Sequence, residues 1–170
     1  MGFRLKVANS CTIISAAGNS FTGASTGNMI FKNLDTGSTY SQTIAWSGTN
    51  QSGQANIAVT NLPSPYGVYE VTLLEFGSEV ARRPLLLSCD IDCCLTKLTN
   101  ELLDCECDCE RCSIALLKAQ KVFLLLKSAM STLELAQTQS GSTNSGFYRD
   151  ILEKYKKARE ICDNSCGCNC

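Results

Sequence analysis

Twelve cysteines and no histidine set the side-chain chemistry open to this chain of 170 residues. Apart from Cys11, the cysteines fall into three groups: Cys89, Cys93 and Cys94; Cys105, Cys107, Cys109 and Cys112; and Cys162, Cys166, Cys168 and Cys170. Disulfides would give a small helical unit the stability its core lacks, at about 2–4 kcal/mol per bridge. Zinc would use the same residues as all-thiolate tetrahedral sites, and Cys109-Glu110-Arg111-Cys112 has the spacing of half a zinc knuckle. Free buried thiols are a third reading, and clustering of this kind argues against them. Spacing leaves disulfide and zinc both open, with disulfide ahead; no other cofactor is expected.

Catalytic arrangements are harder to find. A Cys-x-x-Cys that opens a helix can lower a thiol pKa for redox exchange. In thioredoxin-type enzymes, however, it follows a strand of an α/β unit, and here Cys105 and Cys107 crowd in before it. Without histidine there is no Ser-His or Cys-His pair, and the sequence holds no phosphate loop, dinucleotide fingerprint or calcium loop. Asp90, Asp92, Asp104, Glu106, Asp108 and Glu110 stand among the cysteines and read as solvated charge near helix N-termini. The expectation is a protein that is not an enzyme and has no small-molecule substrate.

Fifteen basic residues against 16 acidic ones give a net charge of −1, without the basic excess that nucleic acid or an anionic membrane requires. The greasiest run, 122–126, is hemmed by Lys118, Lys121 and Lys127 and is far short of a bilayer span. Asn9, Ser10 and Thr12 interrupt any signal-peptide core, so synthesis in the cytosol and a soluble product are expected.

Composition changes near Ser88. The first half, residues 1–88, sets short β-prone runs between turn residues. Strands are predicted over Phe3–Val7, Cys11–Ser15, Asn28–Lys32, Tyr40–Trp46, Gln54–Thr60, Val68–Phe76 and Glu79–Leu87. Such spacing argues for an antiparallel β-sandwich. Within it, Leu62-Pro63-Ser64-Pro65-Tyr66-Gly67-Val68-Tyr69-Glu70-Val71 resembles the corner that enters the penultimate strand of immunoglobulin-like and fibronectin-type-III domains. That resemblance implies Tyr69, Val71 and Leu73 facing inward with Trp46 as a core partner. A hairpin with a Pro-Gly entrance is the plainer alternative. No pair of cysteines is available inside this half to join the sheets.

Residues 89–170 read as a cysteine-rich helical domain, so the fold class expected is α+β: an antiparallel sandwich followed by a cysteine-stapled antiparallel three-helix unit. The predicted helices are Ile91–Asp104, Glu110–Gln137 and Phe147–Cys162. In the long middle helix, Ile114, Leu117, Val122, Leu125, Ala129, Leu133 and Ala136 outline one face, while Leu116, Leu124 and Leu126 spill onto the other. Leu116, Val122, Phe123, Leu124 and Leu126 are therefore candidate interface residues. At about 1.5 Å of rise per residue, Cys93 and Cys94 come level with Cys162. The tail 165–170 can then zip its Cys-x-Cys run against 105–112.

The cysteine framework carries a further resemblance. Cys89-Asp-Ile-Asp-Cys-Cys-Leu-Thr-Lys-Leu98, Cys107-Asp-Cys-Glu-Arg-Cys112, Ala119-Gln-Lys-Val-Phe-Leu-Leu-Leu-Lys-Ser-Ala129 and Tyr155-Lys-Lys-Ala-Arg-Glu-Ile-Cys162 resemble structural proteins of tailed bacteriophages, over Ser88–Cys170. The resemblance implies a virion component of capsid, neck, tail or baseplate, made in the host cytoplasm and released by lysis. Its partners would be other virion proteins and copies of itself. Two alternatives stay open: a secreted or surface adhesion module working outside the cell, and a metallothionein-like metal-thiolate protein. Strong helical patterning around 116–135 argues against the latter.

Overall fold

The computed structural model describes residues 2–8, 11–103, 110–138 and 145–164. Seven strands precede three helices: β1 Arg4–Ala8, β2 Ile13–Asn19, β3 Thr26–Asn33, β4 Thr39–Ala45, β5 Ser52–Ala58, β6 Gly67–Glu75 and β7 Ser78–Leu87, then α1 Cys89–Leu103, α2 Glu110–Thr138 and α3 Ser145–Asp163. The strands form two antiparallel sheets, one ordered β1-β2-β5 and the other β4-β3-β6-β7. The expected α+β class and the order of sandwich then helices are what the chain adopts.

Alternation explains the sandwich. Ile14 and Ala16 of β2, Met29 and Phe31 of β3, and Tyr69, Val71 and Leu73 of β6 are buried, while their sequence neighbours turn outward or to the edge. Trp46 joins this core, as the corner motif implied. The Tyr69 ring is fully buried, and its hydroxyl donates to the Ser64 carbonyl at 2.5 Å and accepts from the Ser64 amide at 3.0 Å. The loop that enters β6 is thus tied to the middle of the sandwich by one buried side chain, whose polar tip is satisfied where burial demands it.

A close backbone approach marks the passage from β4 to β5. A Cβ built on Gly53 would lie 2.1 Å from the Ala45 carbonyl oxygen, so only glycine fits there.

The helices do not stand apart from the sheets. Val68 and Leu86 face each other across the β6–β7 ladder and project from its outer side. There they enter a second core with Ile91 and Leu98 of α1, Val122 and Ala129 of α2, and Ile151 and Tyr155 of α3. The β6–β7 end of the four-stranded sheet is therefore covered on both faces, which is why β7 is buried at every position from Pro84 to Leu87. Three layers result: the three-stranded sheet, the four-stranded sheet and the helices. Pro84 is accommodated because β7 is the edge strand of its sheet.

The three helices run up, down and up. Thr132 of α2 bonds Asp150 of α3 at 2.7 Å, and Tyr155 of α3 donates to Asp90 of α1 at 2.7 Å. Burial, with the Asp90 carboxylate beside it, pushes the Tyr155 phenol well above its ordinary range, so it stays a donor. The expected tail-to-turn zipper involves Cys105, Cys107, Cys109, Cys166, Cys168 and Cys170, which lie outside the described residues.

Candidate interaction surfaces

The thiol chemistry resolves towards disulfides. Cys94 of α1 bonds Cys162 of α3, with their Cα atoms 5.8 Å apart, at the level that helical rise places them. Both are buried in the second core. Cys93 and Cys112 are disulfide-bonded as well. The unexpected bridge is Cys11–Cys89, Cα atoms 6.2 Å apart, which ties the turn after β1 to the first residue of α1. With the other eleven cysteines grouped and Cys11 left without an assigned role, this bond was not anticipated. Parity was the available signal: with all thiols oxidised, eleven cysteines (12 less Cys11) leave one that must pair across the boundary. Among the described residues no group of three or more Cys, Asp or Glu is placed to hold a metal ion.

The two bridges clamp the helical layer to the sandwich and α3 to α1. What this clamped body displays is the outer side of α2. Leu116, Phe123 and Leu124 are 46%, 53% and 64% exposed, as an interface requires. Val122 and Leu126, also expected at an interface, are instead core residues at 0% and 7%. Ile114 and Leu117, placed by periodicity on one face with Val122 and Ala129, do not share their burial and face solvent. The physical reason lies in the composition of the helix. Apolar residues surround it, so periodicity carries no phase, and its neighbours choose the buried side. They chose the side with the small residues: Ala115, Ala129 and Ala136 are buried together with Val122 and Leu126, and they let α2 lie close to its neighbours. The bulky Leu116, Leu117, Phe123 and Leu124 are left outside, interrupted by Lys121 and Lys127.

Two buried charged groups were not anticipated. Glu75, at the end of β6, is 1% exposed and follows Tyr69, Val71 and Leu73 on the inward face. Its carboxylate accepts from the Phe21 amide at 3.0 Å, the Thr22 amide at 2.8 Å and the Thr22 hydroxyl at 2.6 Å, holding the β2–β3 loop. Burial raises its pKa, but the Thr22 hydroxyl and the two amides outweigh that and hold it below the ordinary carboxylate value. Arg83, in β7, is 6% exposed. It borders a groove of about 740 Å³ between residues 2–6 and the Glu134–Gln137 end of α2. The strand alternation held the signal for both: an Arg82-Arg83 pair in a strand must aim one guanidinium at the core.

In comparisons with protein families, with curated proteins and with solved structures, nothing matches this chain.

Proposed function

We propose that this chain is a non-enzymatic structural protein of a tailed-phage virion, working through protein–protein contacts with other virion proteins and with copies of itself. The observation that carries the reading is the exposed apolar side of α2. Leu116, Leu117, Phe123 and Leu124 project from a helix whose other side is fixed in a core, and several large apolar side chains exposed on one helix, even with lysines between them, favour an interaction site. The disulfides support a working life outside a reducing cytosol. They also engage Cys11, Cys89, Cys94 and Cys162, which a metal-thiolate protein would keep for metal. The resemblance of the helical half to phage structural proteins supplies the setting. For the sandwich, an immunoglobulin-like or fibronectin-type-III kinship is supported by the Tyr69–Ser64 corner and by three strands, β1-β2-β5, opposed to four, β4-β3-β6-β7.

Peptide mass spectrometry of density-purified particles from the source culture tests the setting. The chain should appear at a fixed ratio to the other particle proteins; finding it only in the free protein fraction would reject the virion assignment. A Leu117→Glu/Leu124→Glu variant tests the surface. It should keep the wild-type melting temperature and lose incorporation into particles, whereas unimpaired incorporation would exclude this face.

A further inference from the structure

Arg83 occupies a costly position. It pairs with Val71 in the β6–β7 register, so its side chain leaves β7 on the face that Ala81 and Leu85 turn towards the first core. Nη1 donates to the Arg82 carbonyl at 2.8 Å. Nε is shielded from water and has no partner among the described residues, and no ion pair forms to this guanidinium there. A buried cation without a counter-ion is unfavourable, and the same group becomes favourable once a carboxylate completes its hydrogen bonds. With Nη1 engaged and Nε enclosed, a carboxylate in the groove meets Nη2 first, and the second of two parallel bonds forms as the side chain shifts to uncover Nε.

The surroundings suit a strand. β1 is an edge of its sheet: β2 takes one side, and no described strand takes the other. The groove of about 740 Å³ is walled by β1 on one side and by the end of α2 on the other. It continues along Leu5, Lys6 and Val7 as a second groove of about 530 Å³ beneath Met130 and Leu133. At the Arg83 end Arg4 and Lys6 add positive charge, against the single carboxylate of Glu134.

We propose that this groove docks an extended acidic peptide segment of a partner protein, which adds to the edge of β1 that no described strand pairs with and sets a carboxylate on Arg83. Backbone bonds to β1 supply affinity without sequence preference. Arg83 supplies the selection, because a neutral strand would seal the guanidinium away unpaired while an acidic one completes it. The proposal goes beyond the assembly reading, uses a different surface from α2, and stands whether or not the protein belongs to a virion.

The test uses the whole oxidised protein and an array of hexapeptides with Glu or Gln fixed at one position and the others randomised. Each peptide is made with a free and an amidated C-terminus, so that a side-chain carboxylate is distinguished from a chain terminus. Glu peptides, or free-acid ones, should bind at least about tenfold more tightly than their neutral counterparts, shift the Arg83 Nε–H resonance and slow amide exchange at residues 4–7. Arg83→Gln should remove the preference; Arg83→Lys, which keeps charge but not the fork, should retain only part of it. Wild-type protein that binds acidic and neutral peptides alike, or binds neither, overturns the proposal even if the variants fail to fold.

Discussion

Removing the Cys11–Cys89 bridge tests whether it clamps the sandwich to the helices. This bridge is the better choice of the two. Cys11 and Cys89 are only partly buried, so replacing them leaves little cavity, and no other bridge is anchored in the sandwich half among the described residues. The bridge closes a loop with a sequence separation of 78. Loop-closure entropy for that length is about 15 cal/mol/K, or roughly 4.5 kcal/mol at 25 °C, as an upper value because a denatured chain keeps some compactness. A Cys11→Ala/Cys89→Ala double variant should therefore lose about 3–4 kcal/mol in urea denaturation under non-reducing conditions. Its m value should rise, since the unfolded chain gains freedom and exposes more surface. Cys11 holds φ at +60°, and alanine there keeps the same backbone strain, so the comparison isolates the cross-link. A loss under about 1 kcal/mol with an unchanged m value would refute the clamp.

Three further outcomes follow from the packing. Glu75 has a folded pKa below its ordinary 4.5, so its contribution is fully present above that pH and fades as the pH falls through the lower folded value. Glu75→Gln should cost about 2–3 kcal/mol at pH 7 and flatten the acid limb of the stability–pH curve below pH 4.5; an unchanged acid limb would show that the loop clamp is not electrostatic. Gly53→Ala should destabilise by more than about 3 kcal/mol, because its Cβ would meet the Ala45 carbonyl rather than a side chain that can move; chemical denaturation of soluble protein, or its absence from the soluble fraction, reads this out. Leu126→Ala should cost about 2–4 kcal/mol in thermal or urea unfolding, whereas Leu124→Ala, two positions away, should change stability by less than about 0.5 kcal/mol. A larger loss at Leu124 than at Leu126 would mean that α2 is buried on the other side.

Much of this architecture is legible in the chain because local and tertiary preferences agree. The Val68–Phe76 and Glu79–Leu87 runs become β6 and β7 within a residue, since alternation and the turn at Gly77 reinforce one another. β2 is where they part. Its predicted span Cys11–Ser15 stops before Ala16, Ala17, Gly18 and Asn19, residues of poor strand propensity. Yet they pair with Ser52–Ala55 of β5, because packing in a sheet outweighs intrinsic preference. The same tertiary choice sets the phase of α2, whose sequence is apolar on all sides. Periodicity could not say that Val122 and Leu126 would be core and Leu117 surface; only the alanines, small enough for close approach, mark the inner side. The sites split likewise. Cys94 and Cys162 were brought together by helical rise, a local rule. Cys11–Cys89, Glu75 and Arg83 depend on contacts between layers, and only parity and alternation hinted at them.

The most direct test of the disulfide clamp is non-reducing peptide mapping of the purified chain after alkylation of free thiols, with metal analysis of the same native sample. The account predicts cross-linked peptides joining Cys11 to Cys89 and Cys94 to Cys162, with those four residues unalkylated. Alkylation of all four without reduction, together with zinc in stoichiometric amount, would contradict it and make the chain a metal-thiolate protein.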